Sequence, residues 1–412
     1  MDLLKFITAG SVDDGKSTLI GRLLYDTNSI LDDQLEAIQN ANRKNDDGEI
    51  DLAILTDGLK AEREQGITID VAYKYFQTSK RKFIIADTPG HIQYTRNMVT
   101  GASGANLAII LIDARRGVIE QTIRHSYLLS LLAIKNVVIC VNKMDMVNYE
   151  EGVFEKIKAD YLKLAENFEI PQLDFIPISA LRGDNIVNPS TNMDWFTGAP
   201  LLDILETVDT KSKKEKLPAR FPVQWVIRPQ TDDLHDYRGY AGRVTSGSFR
   251  VGEKVVVLPS GFQSTISHIE LDNNQLSEAE DGASVVIRLE DDIDISRGDL
   301  LAPVSEQPIV SKQVSASLCW MDTRPLDTSL IYLLQINSSV LKVKIQEIAY
   351  KVNINTLERE PSDNFELNDI GKVRLRFSEE LAYDPYAENK LNGGAILIDS
   401  RTNLTVGAVL LE

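Results

Sequence analysis

The stretch that decides the fold is Gly10-Ser11-Val12-Asp13-Asp14-Gly15-Lys16-Ser17, which fits the pattern G-x-x-x-x-G-K-[ST]. It follows a short apolar run at residues 6–9 and precedes a helical pattern, so we expect strand, phosphate-binding loop and helix in that order. Glycines let successive backbone N–H groups converge on phosphate oxygens, and the helix N-terminus adds partial positive charge. Lys16 is expected to reach the β- and γ-phosphates and Ser17 to ligate Mg²⁺. A glycine-rich turn without a ligand is the alternative interpretation, and the strand–helix context disfavours it.

Residues 1 to about 208 alternate short apolar runs with helical patterns. The runs are nearly continuous rather than alternating, which is typical of strands buried on both faces of a parallel sheet. They occupy residues 6–9, 83–86, 107–112, 137–141 and 175–178. Helical patterns between them, such as residues 122–132, supply the crossovers. This part of the chain, residues 1–208, is predicted to be a doubly wound α/β domain with a mainly parallel sheet.

The rest of the chain changes character. A lysine-containing polar segment at residues 209–219 is interpreted as an interdomain linker, in preference to a nucleic-acid patch. Beyond it the hydrophobic period becomes two, as in residues 221–227 and 253–258, with glycine-rich turns between the apolar segments. A break falls between Pro303 and Pro308. We therefore predict two β-barrel domains, residues 220–304 and 305–412.

The motif Asp87-Thr88-Pro89-Gly90-His91 comes directly after the apolar run at 83–86. Asp87 is expected to hold Mg²⁺ through water, and the Gly90 N–H to contact a γ-phosphate. His91 is expected to orient the attacking water, with an exposed loop imidazole as the alternative. Thr68, in Gly66-Ile67-Thr68, is expected to ligate Mg²⁺ from a loop that orders with the nucleotide. We assign catalytic roles to His91, Lys16 and Thr68.

A third motif, Asn142-Lys143-Met144-Asp145, follows the run at 137–141. Guanine presents N1–H and N2–H₂ donors that one carboxylate accepts together, so Asp145 is expected to select guanine. Asn142 is expected to reach the O6/N7 side of the base and the Lys143 stem to cover the ring. Ser179-Ala180-Leu181 completes the set, with the Ala180 N–H near guanine O6. Motifs at the carboxyl ends of successive strands predict one site, for GTP and Mg²⁺.

Two further loop residues are unusual for a phosphate site. The carboxylates of Asp13 and Asp14 are unfavourable beside phosphates unless cations or partner groups compensate them. Asp13 is a candidate ligand of a monovalent cation. Thr18, directly after Ser17, is included among the nucleotide-binding residues. His125 lacks metal-ligand spacing and is interpreted as an ordinary histidine.

Composition sets the expected partners and compartment. The chain has 44 Lys+Arg and 61 Asp+Glu among 412 residues, a net charge of −17, which argues against non-specific nucleic-acid or anionic-membrane binding. Two cysteines exclude a disulfide framework and indicate a reducing compartment. No apolar stretch approaches the roughly 18 residues that a membrane span needs. We expect a cytoplasmic protein with no nucleic-acid or membrane partner.

The motifs together resemble the translation-factor class of P-loop GTPases. Within that class, residues 10–24, 57–73 and 93–98 resemble the large, GTPase subunits of heterodimeric sulfate adenylyltransferase (ATP sulfurylase). Further matches lie at residues 237–242, 294–299 and 384–386, so the resemblance covers essentially the whole chain. Asp14 is informative because elongation factors usually carry His or Ser there. Ile92 departs from the family pattern, in which Glu is expected.

The resemblance implies that GTP hydrolysis drives the reaction of a small catalytic partner subunit, in which ATP and sulfate give adenylyl sulfate and pyrophosphate. The sequence contains neither H-x-G-H, the usual nucleotidyltransferase signature, nor a second phosphate-binding loop. The alternative is a translation elongation factor that delivers aminoacyl-tRNA, which shares the GTP-site residues and the two-barrel layout. The whole-chain matches, and more weakly the acidic charge, favour the sulfate adenylyltransferase subunit.

Overall fold

The structure is a computed structural model that describes residues 2–30, 52, 71–90, 95–168, 170–209, 217–229, 237–272 and 274–412. The chain divides into two compact units, Met1–Lys211 with Asn353–Glu358, and Ser212–Val352 with Arg359–Glu412. Among the helices in these described ranges, none has the length and hydropathy needed to cross a bilayer.

The first unit contains, within its described part, a six-stranded sheet in the order β2-β3-β1-β4-β5-β6. Its strands are β1 (Asp2–Ala9), β2 (Ala72–Gln77), β3 (Arg81–Asp87), β4 (Leu107–Asp113), β5 (Asn136–Asn142) and β6 (Gln172–Pro177). All neighbouring pairs are parallel except β2 with β3, which are antiparallel at the sheet edge. The predicted mainly parallel sheet is confirmed, with β2 as an additional edge strand.

The helices in the described part of this unit pack on the sheet through apolar faces. They are α1 (Lys16–Asp26), α2 (Thr95–Ser103), α3 (Glu120–Leu131), α4 (Glu151–Ala165) and α5 (Leu201–Thr207). Leu19 and Leu23 of α1 belong to the same buried core as Phe6 of β1. Strand β4 is buried at every position, which explains its unbroken apolar sequence.

The parallel strands bring their carboxyl ends to one edge of the sheet. Strand β1 leads into the loop at 10–15, β3 ends on Asp87 and β5 ends on Asn142. The segment 178–181 follows β6. Because parallel strands share one direction, loops far apart in sequence converge at this edge.

The second unit contains two closed barrels within its described residues. In the first, six strands close through the β10–β11 pairing, and in the second through the β17–β18 pairing. The six strands of the first barrel are β7 (Phe221–Ile227), β8 (Gly239–Arg243), β10 (Lys254–Leu258), β11 (Phe262–Leu271), β14 (Ser284–Leu289) and β15 (Leu300–Pro303). Strand β12 (Asn274–Leu276) pairs with β11 outside the ring, and β9 (Ser248–Arg250) and β13 (Glu278–Glu280) form a separate two-stranded sheet. The second barrel comprises β16 (Ile309–Trp320), β17 (Ile331–Ile336), β18 (Ser339–Val352), β19 (Arg359–Glu360), β20 (Ile370–Tyr383), α6 (Lys390–Gly393), β21 (Gly394–Asp399) and β22 (Thr405–Leu411). The two predicted barrels are confirmed.

A buried ion pair joins the two barrels of this unit. Arg220, 1% exposed, donates from Nε and Nη2 to the two carboxylate oxygens of Asp384, each at 2.9 Å. The Asn392 amide also donates to Asp384, at 2.9 Å. A small apolar cluster that includes Leu258, Leu300 and Ala382 lies between strands of both barrels. The barrels therefore share interior contacts as well as a chain connection.

Candidate functional site

The phosphate-binding loop has a defined backbone path between β1 and α1. Gly15 caps α1 with φ 91°, ψ 29°, a left-handed conformation that glycine adopts without the cost of a Cβ. The Lys16 ammonium donates to the carbonyl oxygens of Gly10 at 2.9 Å and Ser11 at 2.8 Å. Burial lowers the pKa of Lys16, while the carboxylates of Asp87 and Asp14 act to raise it. The loop thus wraps around a single buried cation.

The two aspartates of the loop differ in environment. Asp14 is 2% exposed and its Oδ2 accepts the Ser11 N–H at 2.5 Å. Burial raises the pKa of Asp14, and the Lys16 charge and the Ser11 hydrogen bond oppose that rise. Asp13 is exposed, with φ 67°. The loop backbone and Lys16 thus compensate the Asp14 carboxylate, whereas Asp13 faces solvent.

Asn142 joins two loops at the end of β5. Its amide nitrogen donates to the Asp14 carbonyl at 2.8 Å, and its Oδ1 accepts the Ala180 N–H at 2.9 Å. Asn142 is 2% exposed. The Ala180 N–H therefore has a protein partner in this structure, and its approach to guanine O6 stays a prediction.

The carboxylate of Asp145 lies in a short 3₁₀ turn, Met144–Val147. Its Oδ1 accepts the Ser179 hydroxyl at 2.6 Å, and that hydroxyl in turn accepts the Arg182 N–H at 3.2 Å. The carbonyl of Leu181 accepts from Arg22 of α1 at 2.5 Å. These contacts fix the Asp145 carboxylate beside the loop after β6.

Lys143 has a left-handed backbone, φ 64°, which is uncommon for a residue with a side chain. Its ammonium donates to the Asp13 carbonyl and pairs with Asp113 at 3.0 Å. Asp113, at the end of β4, also accepts two hydrogen bonds from the Arg115 guanidinium. These partners hold the pKa of Asp113 well below its usual range, against the effect of its burial. Asp113, which no sequence motif indicated, anchors Lys143 against the phosphate-binding loop.

Asp87 and Gly90 approach the same loop from β3. Asp87 is 1% exposed, and its Oδ1 accepts the Thr8 hydroxyl at 3.3 Å. A Cβ at Gly90 would lie 2.6 Å from Lys16 Nζ and 2.9 Å from the Gly10 carbonyl oxygen. The structure therefore brings the D-x-x-G segment against the phosphate-binding loop with no room for a side chain at Gly90.

Two groups of predicted residues remain to be placed. Ser17 and Thr18 lie half-buried in the first turn of α1. Thr68, His91 and the departing Ile92 lie outside the described residues. For Mg²⁺, the hydroxyl of Ser17 and the carboxylate of Asp87 are oxygen donors of the kind that this cation prefers. The buried carboxylate of Asp87 also acts to raise the pKa of Lys16, so this edge of the sheet carries negative charge that suits a cation.

Sequence analysis also missed His125 of α3. Its ring is 2% exposed, and Nδ1 accepts the Gly10 N–H at 3.1 Å. Gln121, one helical turn earlier, contacts the other ring nitrogen at 2.8 Å. The available signal was a pair of polar residues, i and i+4, on the helix that follows β4, but nothing local indicates that this face is buried against the loop.

Comparisons with known proteins show the family of this chain. The family model of the elongation factor Tu GTP binding domain matches residues 1–214, and that of the GTP-eEF1A C-terminal domain-like family matches residues 313–411. "Sulfate adenylyltransferase subunit 1" of Yersinia pseudotuberculosis serotype O:1b (strain IP 31758) is 50% identical over 413 residues, covering 100% of this chain and 86% of the relative. The protein of that name from Salmonella heidelberg (strain SL476) is 50% identical over 415 residues, covering 100% and 85%. A crystal structure of bacterial selenocysteine-specific elongation factor EF-Sec aligns at 21% identity with a TM-score of 0.45, covering 100% of this chain and 58% of that one.

Proposed function

The chain belongs to the sulfate adenylyltransferase subunit 1 family and carries an elongation-factor-type GTP-binding domain, and from this premise we propose how it works. It binds GTP with Mg²⁺ at the carboxyl edge of the first unit's sheet. It hydrolyses GTP to promote the formation of adenylyl sulfate and pyrophosphate from ATP and sulfate. That adenylyl transfer takes place on a separate, small catalytic subunit.

The loop around Lys16 supports the phosphate-binding part of this proposal. Lys16 is held at the centre of the loop by the Gly10 and Ser11 carbonyls, so its charge is placed before a nucleotide arrives. Preorganised charge of this kind stabilises phosphoryl transfer without reorganisation during the reaction. Ser17, Thr68 and, through water, Asp87 would hold Mg²⁺, which supplies charge neutralisation on the phosphates when bound. Gly15 and Gly90, which admit no side chain at the loop, allow the backbone to approach the phosphates.

The proposed base-binding part rests on Asp145 and its neighbours. The Ser179 hydroxyl donates to Asp145 Oδ1 at 2.6 Å, and we propose that the carboxylate oxygens accept guanine N1–H and N2–H. Asn142 joins this side of the site to the phosphate-binding loop, and we propose that the Lys143 stem covers the base. For the chemical step we assign His91 the orientation of the attacking water.

The proposal assigns GTP hydrolysis to this chain and adenylyl transfer to a partner, and it rests on the motifs that this sequence contains. We propose that each of them serves one nucleotide, and those that the structure describes lie at one sheet edge. The sequence holds no H-x-G-H motif and no second phosphate-binding loop. The words "subunit 1" in the relatives' names support a partner subunit. We propose that this partner, the small adenylyltransferase subunit, preferentially binds the GTP-ordered form of the residue 63–68 loop. By linkage, GTP and the partner must then strengthen each other's binding.

The test measures GTP hydrolysis and pyrophosphate release in the same tube, with each subunit alone and with both. The chain alone should hydrolyse GTP slowly and make no adenylyl sulfate. Addition of the small subunit should accelerate hydrolysis and make adenylyl sulfate formation depend on GTP. Ser17→Ala should abolish both the accelerated GTP hydrolysis and the GTP-dependent formation of adenylyl sulfate. Ser260→Ala, a substitution in a turn of the first barrel, should abolish neither. Adenylyl sulfate made by the isolated chain, or hydrolysis stimulated by aminoacyl-tRNA and ribosomes but indifferent to the small subunit, would overturn the proposal.

Three remaining parts of the proposal concern context. We propose a cytoplasmic location and no nucleic-acid or membrane partner, in line with the acidic charge. We propose Asp13, the exposed loop carboxylate, as the ligand if a monovalent cation takes part. The domain boundaries at 208, 219 and 304 stay predictions.

A further inference from the structure

A histidine on α3 contacts the first peptide group of the phosphate-binding loop. Nδ1 of His125 accepts the Gly10 N–H at 3.1 Å, across 115 residues of sequence, in a fully buried position. The carbonyl of the same Gly10 accepts from Lys16 at 2.9 Å. Gly10 has φ 151°, within the range that side chains rarely adopt, so hydrogen bonds rather than a side chain must set its orientation.

The direction of this hydrogen bond defines the protonation of the ring. Because Nδ1 accepts, a neutral ring must carry its proton on Nε2, which lies 2.8 Å from the Gln121 amide nitrogen. An amide nitrogen cannot accept this N–H, so the fitting amide orientation is the one that exchanges Gln121 Oε1 and Nε2 and makes Oε1 the acceptor. Burial, with the nearby Lys16 and Arg124 charges, lowers the pKa of His125 to about 3. The ring is therefore a permanent acceptor at physiological pH.

We propose that His125 is a positioning residue for nucleotide binding, which fixes the Gly10 peptide and through it the Lys16 ammonium. Without an acceptor at this point, the buried Gly10 N–H has no partner and the peptide gains by rotating. Rotation of this Ala9–Gly10 peptide changes φ of Gly10 and turns the next peptide, whose carbonyl accepts from Lys16. The loop then spends part of its time in forms that do not fit the β-phosphate. The apparent affinity then falls with the fraction of molecules that remain competent. This inference rests on the proposed GTP site.

The experiment compares His125→Leu with His125→Asn in the full chain. Leucine fills much of the ring's volume but offers no acceptor, whereas the asparagine amide can present an oxygen near the position of Nδ1. Kd for GDP, measured by displacement of a fluorescent GDP, should rise on the order of tenfold in His125→Leu and by less than about threefold in His125→Asn. The rise should be absent for GMP, which has no β-phosphate. His268→Leu, in β11 of the first barrel, is the matched control and should leave Kd unchanged.

A merely structural role for His125 predicts a different pattern. Both variants would then lose thermal stability and GDP affinity together, with no rescue by asparagine. That pattern, or wild-type GDP affinity in a folded His125→Leu protein, would overturn the inference. If His125→Leu does not fold, Gln121→Leu takes its place, because it removes the partner of Nε2–H and should raise Kd for GDP but not for GMP. Failure of the wild-type chain to bind GDP would instead overturn the proposed function.

Discussion

Asn142→Ala should break the connection between the phosphate-binding loop and the loop after β6, and so weaken nucleotide binding. The substitution removes two buried hydrogen bonds, to the Asp14 carbonyl at 2.8 Å and from the Ala180 N–H at 2.9 Å. A buried polar group left without its partner costs about 1–3 kcal/mol, so two such groups give about 2–6 kcal/mol. Water that enters the vacated space returns part of this loss, and we expect a net effect of about 3 kcal/mol. In the free protein the two loops can relax and bond to water, whereas the GDP-bound form needs both loops in place, so this cost falls on the bound form. It corresponds to a roughly hundredfold weaker affinity for GDP.

The assay for this effect is GDP binding by isothermal titration, with Asn136→Ala as the matched control. Asn136 begins the same strand and donates to the Asn106 carbonyl at 3.2 Å in an exposed position. Its loss should therefore change the affinity by less than about threefold, because water replaces an exposed partner. Circular dichroism establishes that both variants are folded. A folded Asn142→Ala protein that binds GDP within about threefold of wild type would refute the idea that this amide couples the two loops.

The remaining predictions address base choice, steric fit and pH. Asp145→Asn should weaken GTP and strengthen xanthosine triphosphate, whose C2 oxygen accepts from the new amide; an unchanged preference in competition binding would remove Asp145 from the base site. Gly90→Ala should impair GTP binding, since the methyl group would lie 2.6 Å from Lys16 Nζ. The control Gly152→Ala, with open space around it on α4, should stabilise its helix by about 0.5–1 kcal/mol. Equal effects of the two substitutions on GTP affinity would contradict this prediction. Burial lowers the pKa of His125 from 6.5 to about 3 in the folded protein. As the pH falls below 6.5, the unfolded chain therefore binds a proton at this ring before the folded chain does. The free energy of unfolding should then decline between pH 6.5 and pH 3. Urea unfolding should show a shallower decline in His125→Asn between those pH values, and an identical slope would show that the ring is charged in the folded state.

The sequence predicted the strands whose burial is uniform. Strands β4 and β5 are apolar because both of their faces are covered, so a continuous run identifies them without knowledge of their neighbours. Strand β2 escaped prediction because it lies at the edge: Tyr73 and Tyr75 are exposed, and Phe76 is the one member buried against the core. Its identity as a strand depends on pairing with β3, a partner that local pattern does not reveal.

The candidate site divides in the same way. Lys16, Asp87 and Asp145 belong to motifs whose spacing is local, so the sequence alone places them on loops after strands. Asp113 and His125 act through contacts with Lys143 and Gly10, which lie 30 and 115 residues away. The sheet order decides which of these loops become neighbours, and no local spacing encodes that order.

The buried Arg220–Asp384 pair has a consequence for how this protein could be divided or recombined. A chain cut after residue 304 would leave the Arg220 guanidinium in one fragment and the Asp384 carboxylate in the other, and each is a buried charged group that has lost its partner. Removal of one partner of a buried ion pair costs about 3–5 kcal/mol, which is a large part of the stability of a single small domain. A chimaera that exchanges one barrel for that of a distant homologue would also leave one of these buried charges unpaired, unless Arg220 and Asp384 are both transferred or both kept. The two barrels thus form one exchangeable cassette, and grafting experiments should move them as a pair.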